Sequence, residues 1–156
     1  MRLRYTKGIH FECQRCAECC GDTHERKRNI LMLKKEVGRI SEVTKLKPEE
    51  FSIPSGTEPY RYVMRKREGK CIFLKGVDCQ IYPQRPLLCR FYPFWLEEPS
   101  AESYVFRVSG DCPGVGIGKV FKKDDFGKML KEAIDAYKLG PTLSKWGKKW
   151  SQRLSG

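Results

Sequence analysis

The segment Cys13-Gln14-Arg15-Cys16-Ala17-Glu18-Cys19-Cys20 limits the fold more than any other stretch of the chain. Two residues between successive cysteines let their sulfurs turn toward one centre, as zinc knuckles and iron–sulfur loops require. The loop holds little other core material, so whatever binds the thiols contributes directly to folding. Adjacent Cys19 and Cys20 project in different directions unless the backbone turns tightly, and so can serve two different centres. A second group follows at Cys71, Cys79, Cys89 and Cys112, making 8 cysteines. Two four-thiolate sites are the simplest accounting. One such site with the other cysteines buried or redox-active is the rival, and thiolates shared between two metals are a third arrangement.

Disulfides are the other use for so many cysteines. The N-terminus, Met-Arg-Leu-Arg-Tyr-Thr-Lys-Gly, is basic but no apolar stretch follows it, so no secretory signal is expected. A cytoplasmic, reducing location is the expectation, where cysteine clusters serve metals more often than disulfides. Scarce Asn and Gln beside abundant Lys and Glu lean toward a thermophile, and some hyperthermophiles do use intracellular disulfides.

The spacing admits two kinds of centre. Cys13, Cys16 and Cys19 follow the C-x2-C-x2-C pattern of cluster loops, and remote Cys112 is followed by Pro113, as a late ferredoxin ligand is. An iron–sulfur cluster, 4Fe-4S in type, is the first expectation. An all-cysteine tetrahedral zinc site is the alternative. Arg85 and Arg90 are the candidate cofactor-contacting residues, since with Arg15 they lie near ligands and can offset a thiolate-ligated charge. The plainer reading of both is a surface or carboxylate-paired arginine. His10 and His24 flank the first cluster as substitute ligands, although an exposed histidine is commoner.

Between the cysteine groups, Ile30–Leu33 is a short apolar run. A helix is expected from Lys34 to about Thr44, with Val37, Ile40 and Val43 on one buried face. Pro48–Phe51 reads as a short helix with Pro in its first turn, Pro54–Pro59 as a loop, and Tyr60–Met64 as a strand. Cys71–Leu74 and Cys79–Tyr82 read as a hairpin. Pro83, Pro86 and Pro93 are expected to break regular structure around Cys89. Tyr104–Val108 alternates like a strand, and Cys112–Gly118 reads as a Gly-rich loop that bends beside a centre. A helix from about Asp124 to Leu139 carries Phe126, Leu130, Ala133, Ile134 and Tyr137 as its apolar stripe, and Gly140-Pro141 ends it. The fold expected is a small α+β domain, irregular and metal-stapled, with short strands and a C-terminal helical segment. The boundary expected is 1–120 for the cysteine-cluster domain and 121–156 for the helix and a basic tail with Trp146 and Trp150.

At this point the chain resembles a known family. Cys13-x2-Cys16-x2-Cys19-Cys20, then Cys71-Ile72-Phe73-Leu74, Cys79-Gln80-Ile81-Tyr82 and Arg85-Pro86-Leu87-Leu88-Cys89-Arg90-Phe91-Tyr92-Pro93, are similar to the YkgJ-like cysteine-cluster proteins. The resemblance spans about residues 11–115 and implies a zinc- or iron-chelating domain, with neither metal fixed. Some relatives are linked to protein methylation. The chain shows no Gly-rich dinucleotide-type loop to hold a methyl donor.

Lys and Arg number 31 against 19 Asp and Glu, a net charge of +12, and the chain stays basic with every thiol bound to metal. That balance favours an acidic protein or nucleic acid as partner, against the plainer reading of a solvated surface. No apolar run is long enough to span a membrane. No Ser/His/acid arrangement or paired carboxylate is recognisable, so hydrolase chemistry is not expected and no independent catalytic constellation is assigned. Two functions follow: an iron–sulfur protein that carries electrons, or builds or maintains metal centres, in a larger complex; or a zinc-stapled module that contacts nucleic acid or an acidic protein.

Overall fold

Apolar residues at helical spacing, opened by an acidic first turn, make Lys34–Thr44 a helix. The computed structural model describes residues 2–55, 58–100 and 102–137. In chain order the elements are β1 (Arg2–Arg4), β2 (His10–Phe11), β3 (Leu31–Met32), α1 (Lys34–Thr44), α2 (Pro48–Phe51), β4 (Ser52–Pro54), β5 (Tyr62–Met64), β6 (Lys66–Arg67), β7 (Lys70–Cys71), β8 (Leu74–Lys75), β9 (Asp78–Cys79), α3 (Leu87–Phe91), β10 (Phe94–Ser100), β11 (Ser103–Val108), β12 (Val115–Val120) and α4 (Lys123–Tyr137). Single 3-10 turns sit at Glu18–Cys20 and Tyr82–Gln84. The fold is α+β. The chain forms two units: Arg15–Arg90, and Met1–Gln14 joined to the chain from Phe91 onward.

In the Arg15–Arg90 unit, antiparallel β3-β5-β4 pairs Leu31 and Ile53 with Val63. Ile30, Met32, Val37, Ile40, Phe51, Met64, Phe73 and Ile81 form the core, with Cys71 among them, and Cys20, Cys79 and Cys89 pack against it. Val37 and Ile40 are buried as expected, but Val43 is 51% exposed. It lies about 120° round the helix from Val37, off the buried face. Pro48 opens α2, and Phe51 at its end is fully buried. The loop expected over Pro54–Pro59 starts later, because Pro54 closes edge strand β4, where no ladder N–H is needed.

The hairpin expected around residues 71–82 is shorter than its sequence suggests. β8 and β9 pair Leu74 with Cys79 and Lys75 with Asp78, while Cys71 belongs to the preceding β6–β7 hairpin. Around Cys89 the chain is helical rather than broken. Pro86 and Pro93 flank α3 instead of entering it, and the Arg90 N–H donates to the Pro86 carbonyl at 3.1 Å.

In the other unit, β11 lies between β1, parallel to it, and β10, antiparallel with a shift between Glu97 and Ser100. Phe126 of α4 stacks on Tyr5 at 4.7 Å and meets Phe94 and Phe106 at 5.3 Å. Leu130, Ala133 and Tyr137 complete the buried stripe, with Ile134 half-buried at its margin. Of the Gly-rich stretch, 112–114 is a turn as expected, and the chain from Val115 is a strand. β12 pairs Val115 with Phe11 and Val120 with His10, irregularly between them. Gly118 has φ +82°, and a Cβ there would stand 2.6 Å from the Glu12 Cβ, so glycine is what lets the two segments approach. The tail from residue 138, with its expected Gly140-Pro141 stop, lies outside the described residues.

Candidate metal centre

The cysteine loop reverses through two non-glycine residues in the left-handed region, Arg15 (φ 51°) and Ala17 (φ 65°). The 3-10 turn Glu18–Cys20 follows, closed by the Cys20 N–H donating to the Ala17 carbonyl at 3.0 Å. This turn is tight enough that the Cys19 thiol hydrogen-bonds to Cys20. Beyond it, the loop is fastened to the β6–β7 hairpin. Gly21 bridges to Lys70, and the Asp22 N–H donates to the Gly69 carbonyl at 2.8 Å. A Cβ on Gly21 would collide with the Gly69 carbonyl oxygen and stand 2.8 Å from the Lys70 Cα. The Asp22 carboxylate accepts from Lys66 Nζ at 2.8 Å and from the Arg28 N–H at 2.9 Å. Those two bonds hold its carboxyl below the usual range. The result is that Cys19 and Cys20 are anchored beside the strand that ends in Cys71.

Four thiols gather there. Cys19 comes from the loop, Cys71 from the end of β7, Cys79 from the end of β9 and Cys89 from α3. The Cys71 sulfur accepts the Phe73 and Leu74 N–H groups, and the Cys79 sulfur accepts that of Ile81. Amides turned onto a sulfur favour its thiolate form. Burial works the other way: it pushes Cys71 up to about 11 and raises Cys79 and Cys89. Cys19 is raised first by its bond to Cys20 and then by burial. Cys89 ionises against Cys19, Cys71 and Cys79, Cys71 against Cys79 and Cys19, and Cys79 against Cys19. Without a cation these sulfurs therefore stay protonated at neutral pH. A bound metal is the kind of charge that reverses this, since a coordinating thiol is deprotonated.

Positive charge is already placed nearby. Arg28 is only 4% exposed, and its guanidinium favours the Cys19 thiolate. Arg85 does the same for Cys79 while donating through Nε to the Tyr82 carbonyl at 3.0 Å. Among the described residues, no three His, Cys, Asp or Glu side chains already stand in a closed ligand shell around one ion. The donor set itself, four sulfurs with amide donors, a buried Arg28 and a half-buried Arg85 around them, fits zinc or iron and not a hard cation that needs oxygen.

The other sequence candidates lie elsewhere. Cys16 is exposed, and Cys20 hydrogen-bonds with Cys19 and packs against the core. Cys13 and Cys112 belong to the other unit, where the Glu12 N–H donates to the Gly114 carbonyl and the Val115 N–H to that of Cys112, both at 3.1 Å. Their backbones thus run side by side. His10 Nδ1 is bonded to the Gly118 carbonyl at 2.7 Å, within the β2–β12 pairing, and His24 is exposed. The charge of Arg90 acts on buried Glu36. Sequence reasoning missed Arg28 and Glu36. Arg28 stands in the charged run Glu25-Arg26-Lys27-Arg28, where nothing marks it as buried; Glu36, in the first turn of α1, reads as an ordinary exposed position.

The chain is similar to two proteins of Methanocaldococcus jannaschii, both named only as uncharacterized proteins. To MJ0939 it is 28% identical over 85% of its own length and 45% of that protein's; to MJ0661 it is 28% identical over 81% of its own length and 70% of that protein's. The chain thus spans about half the length of the first of these. No solved structure matches. A family model described as "CxxCxxCC: Putative zinc- or iron-chelating domain" matches residues 12–128, and the chain belongs to that family.

Proposed function

We propose that Cys19, Cys71, Cys79 and Cys89 hold one iron–sulfur cluster, and that the protein carries electrons, or builds or maintains metal centres, within a larger assembly. The supporting observation is that every pair among these four thiols interacts, with Cys71 in the core and Cys79 and Cys89 packed against it. Cys19 also closes the C-x2-C-x2-C spacing of cluster loops. Bound there, a cluster supplies one-electron transfer. The chain's own residues hold it: amides of Phe73, Leu74 and Ile81 donate to sulfur, and Arg28 and Arg85 offset negative charge.

The test is metal and acid-labile sulfide analysis of protein purified without oxygen, followed by Cys→Ser at each of the four positions. Brown protein with iron and sulfide, lost equally in all four variants, is the expected result. Colourless protein with stoichiometric zinc overturns the cluster and leaves a zinc-stapled module.

A further inference from the structure

The three-stranded sheet β1-β11-β10 has two unlike faces. Side chains alternate along a strand, and Phe94 and Phe106 pack on Phe126 of α4 from one side. On the other side, Trp95 sits across from Arg107, and Val105 lies between Glu97 and Arg4. A cleft of about 430 Å³ opens at this part of the sheet, lined by Arg4, Tyr5, Trp95, Phe106, Arg107 and Val108 among others. Glu97 fixes its two main features. It accepts from the Trp95 indole N–H at 3.2 Å and from Arg107 Nε at 3.0 Å. Tyr5 is held by its stack on Phe126. Arg4 has no ion pair among the described residues and stands exposed at the rim. The cleft thus presents an immobilised indole on β10 beside the Arg107 guanidinium of β11, with Arg4 beyond it on β1 and one carboxylate to offset them.

We infer that this cleft binds single-stranded nucleic acid, one base lying against Trp95 and the phosphates that lead away from it running across the sheet over Arg107 toward Arg4. Base–aromatic stacking beside a basic groove is how strands are held without sequence preference. Arginine's planar fork suits phosphate, and the net charge of +12 draws a polyanion toward the protein. An acidic peptide satisfies the cations but brings no planar ring for the indole. This reading is independent of the metal centre.

The experiment is fluorescence anisotropy of a labelled oligouridine of roughly 12 nucleotides against the full chain with its metal. Trp95→Ala is expected to weaken binding roughly five- to hundredfold, and Trp95→Phe to restore most of it. Arg4→Ala is expected to reduce the salt slope by about 0.7. Lys131→Glu, on an exposed position of α4, is the control for charge alone. Undiminished binding by folded Trp95→Ala overturns the inference. So does Lys131→Glu weakening binding as much as Arg4→Glu. Displacement of the oligomer by polyglutamate at equal charge also overturns it, in favour of an acidic protein. If Trp95→Ala does not fold, Trp95→Phe unchanged alongside a weakened Arg4→Ala supports the inference, and an unchanged Arg4→Ala overturns it.

Discussion

Glu36 Oε1 accepts the Leu87 backbone N–H at 2.7 Å, joining the first turn of α1 to the first turn of the helix that carries Cys89. Its other oxygen accepts the Leu33 N–H at 2.9 Å. One buried carboxylate thus satisfies amide donors at two helix starts and sets where Cys89 stands. Removing it in Glu36→Ala orphans both amides, at ~1–3 kcal/mol each. A loss of roughly 2–5 kcal/mol in urea unfolding is expected, with weaker metal retention.

The same residue gives a pH dependence. Burial raises its carboxyl above the usual 4.5, against the two amide bonds and the charges of Arg39 and Arg90. The folded chain therefore holds this proton more tightly than the unfolded chain does. The contribution is complete below about 4.5 and is lost as pH rises through the raised folded value. In metal-free protein, Glu36→Gln is expected to abolish that part of the stability–pH curve. An unchanged curve would show that the carboxylate ionises as freely in the fold as outside it.

Thiol reactivity separates the buried set from the exposed cysteines. In metal-free, reduced protein, alkylation of exposed Cys13 and Cys16 is expected first. Cys71 labelling is expected to rise about tenfold per pH unit until about pH 11. Mass spectrometry of the labelled peptides reads both. Equal labelling of Cys71 and Cys16 at pH 7 contradicts the burial described above.

The close approach of Gly21 to Gly69 and Lys70 predicts that Gly21→Ala costs about 1–3 kcal/mol by overpacking. Because the backbone there must shift, Cys19 moves relative to Cys71. Metal content per chain is expected to fall, whereas Gly38→Ala, with open space around its Cβ position, leaves it unchanged.

Removing the metal is expected to speed hydrogen exchange first in residues 16–22 and 70–81, where the thiols line one side of the core. Thiolate–metal binding can supply on the order of 10 kcal/mol. α4 rests on the aromatic cluster around Phe126 and holds no thiol, so its amides should stay protected. Simultaneous loss in both regions would mean that one cooperative transition covers the whole chain.

Local patterns were enough for α1, α2 and α4, because each carries apolar residues at helical spacing with a readable start. They were enough, too, for the chemistry of the donors, because closely spaced cysteines have few other uses. They misled at Cys89, where prolines that punctuate the chain lie outside the helix they flank. They misled again at Gly116 and Gly118, which lie in a strand paired with β2 and not in a loop.

What no local pattern carried was the grouping. Cys13, Cys16, Cys19 and Cys20 are neighbours in the chain, yet Cys19 interacts with Cys71, Cys79 and Cys89 while Cys13 lies in the other unit. Buried Arg28 and Glu36 were likewise invisible, since a charged residue's burial depends on what the rest of the chain packs over it. Sulfur type and spacing are properties of the chain; which sulfurs share a charge is decided by hairpin register, by Glu36 fixing α3, and by a glycine that lets two backbones touch.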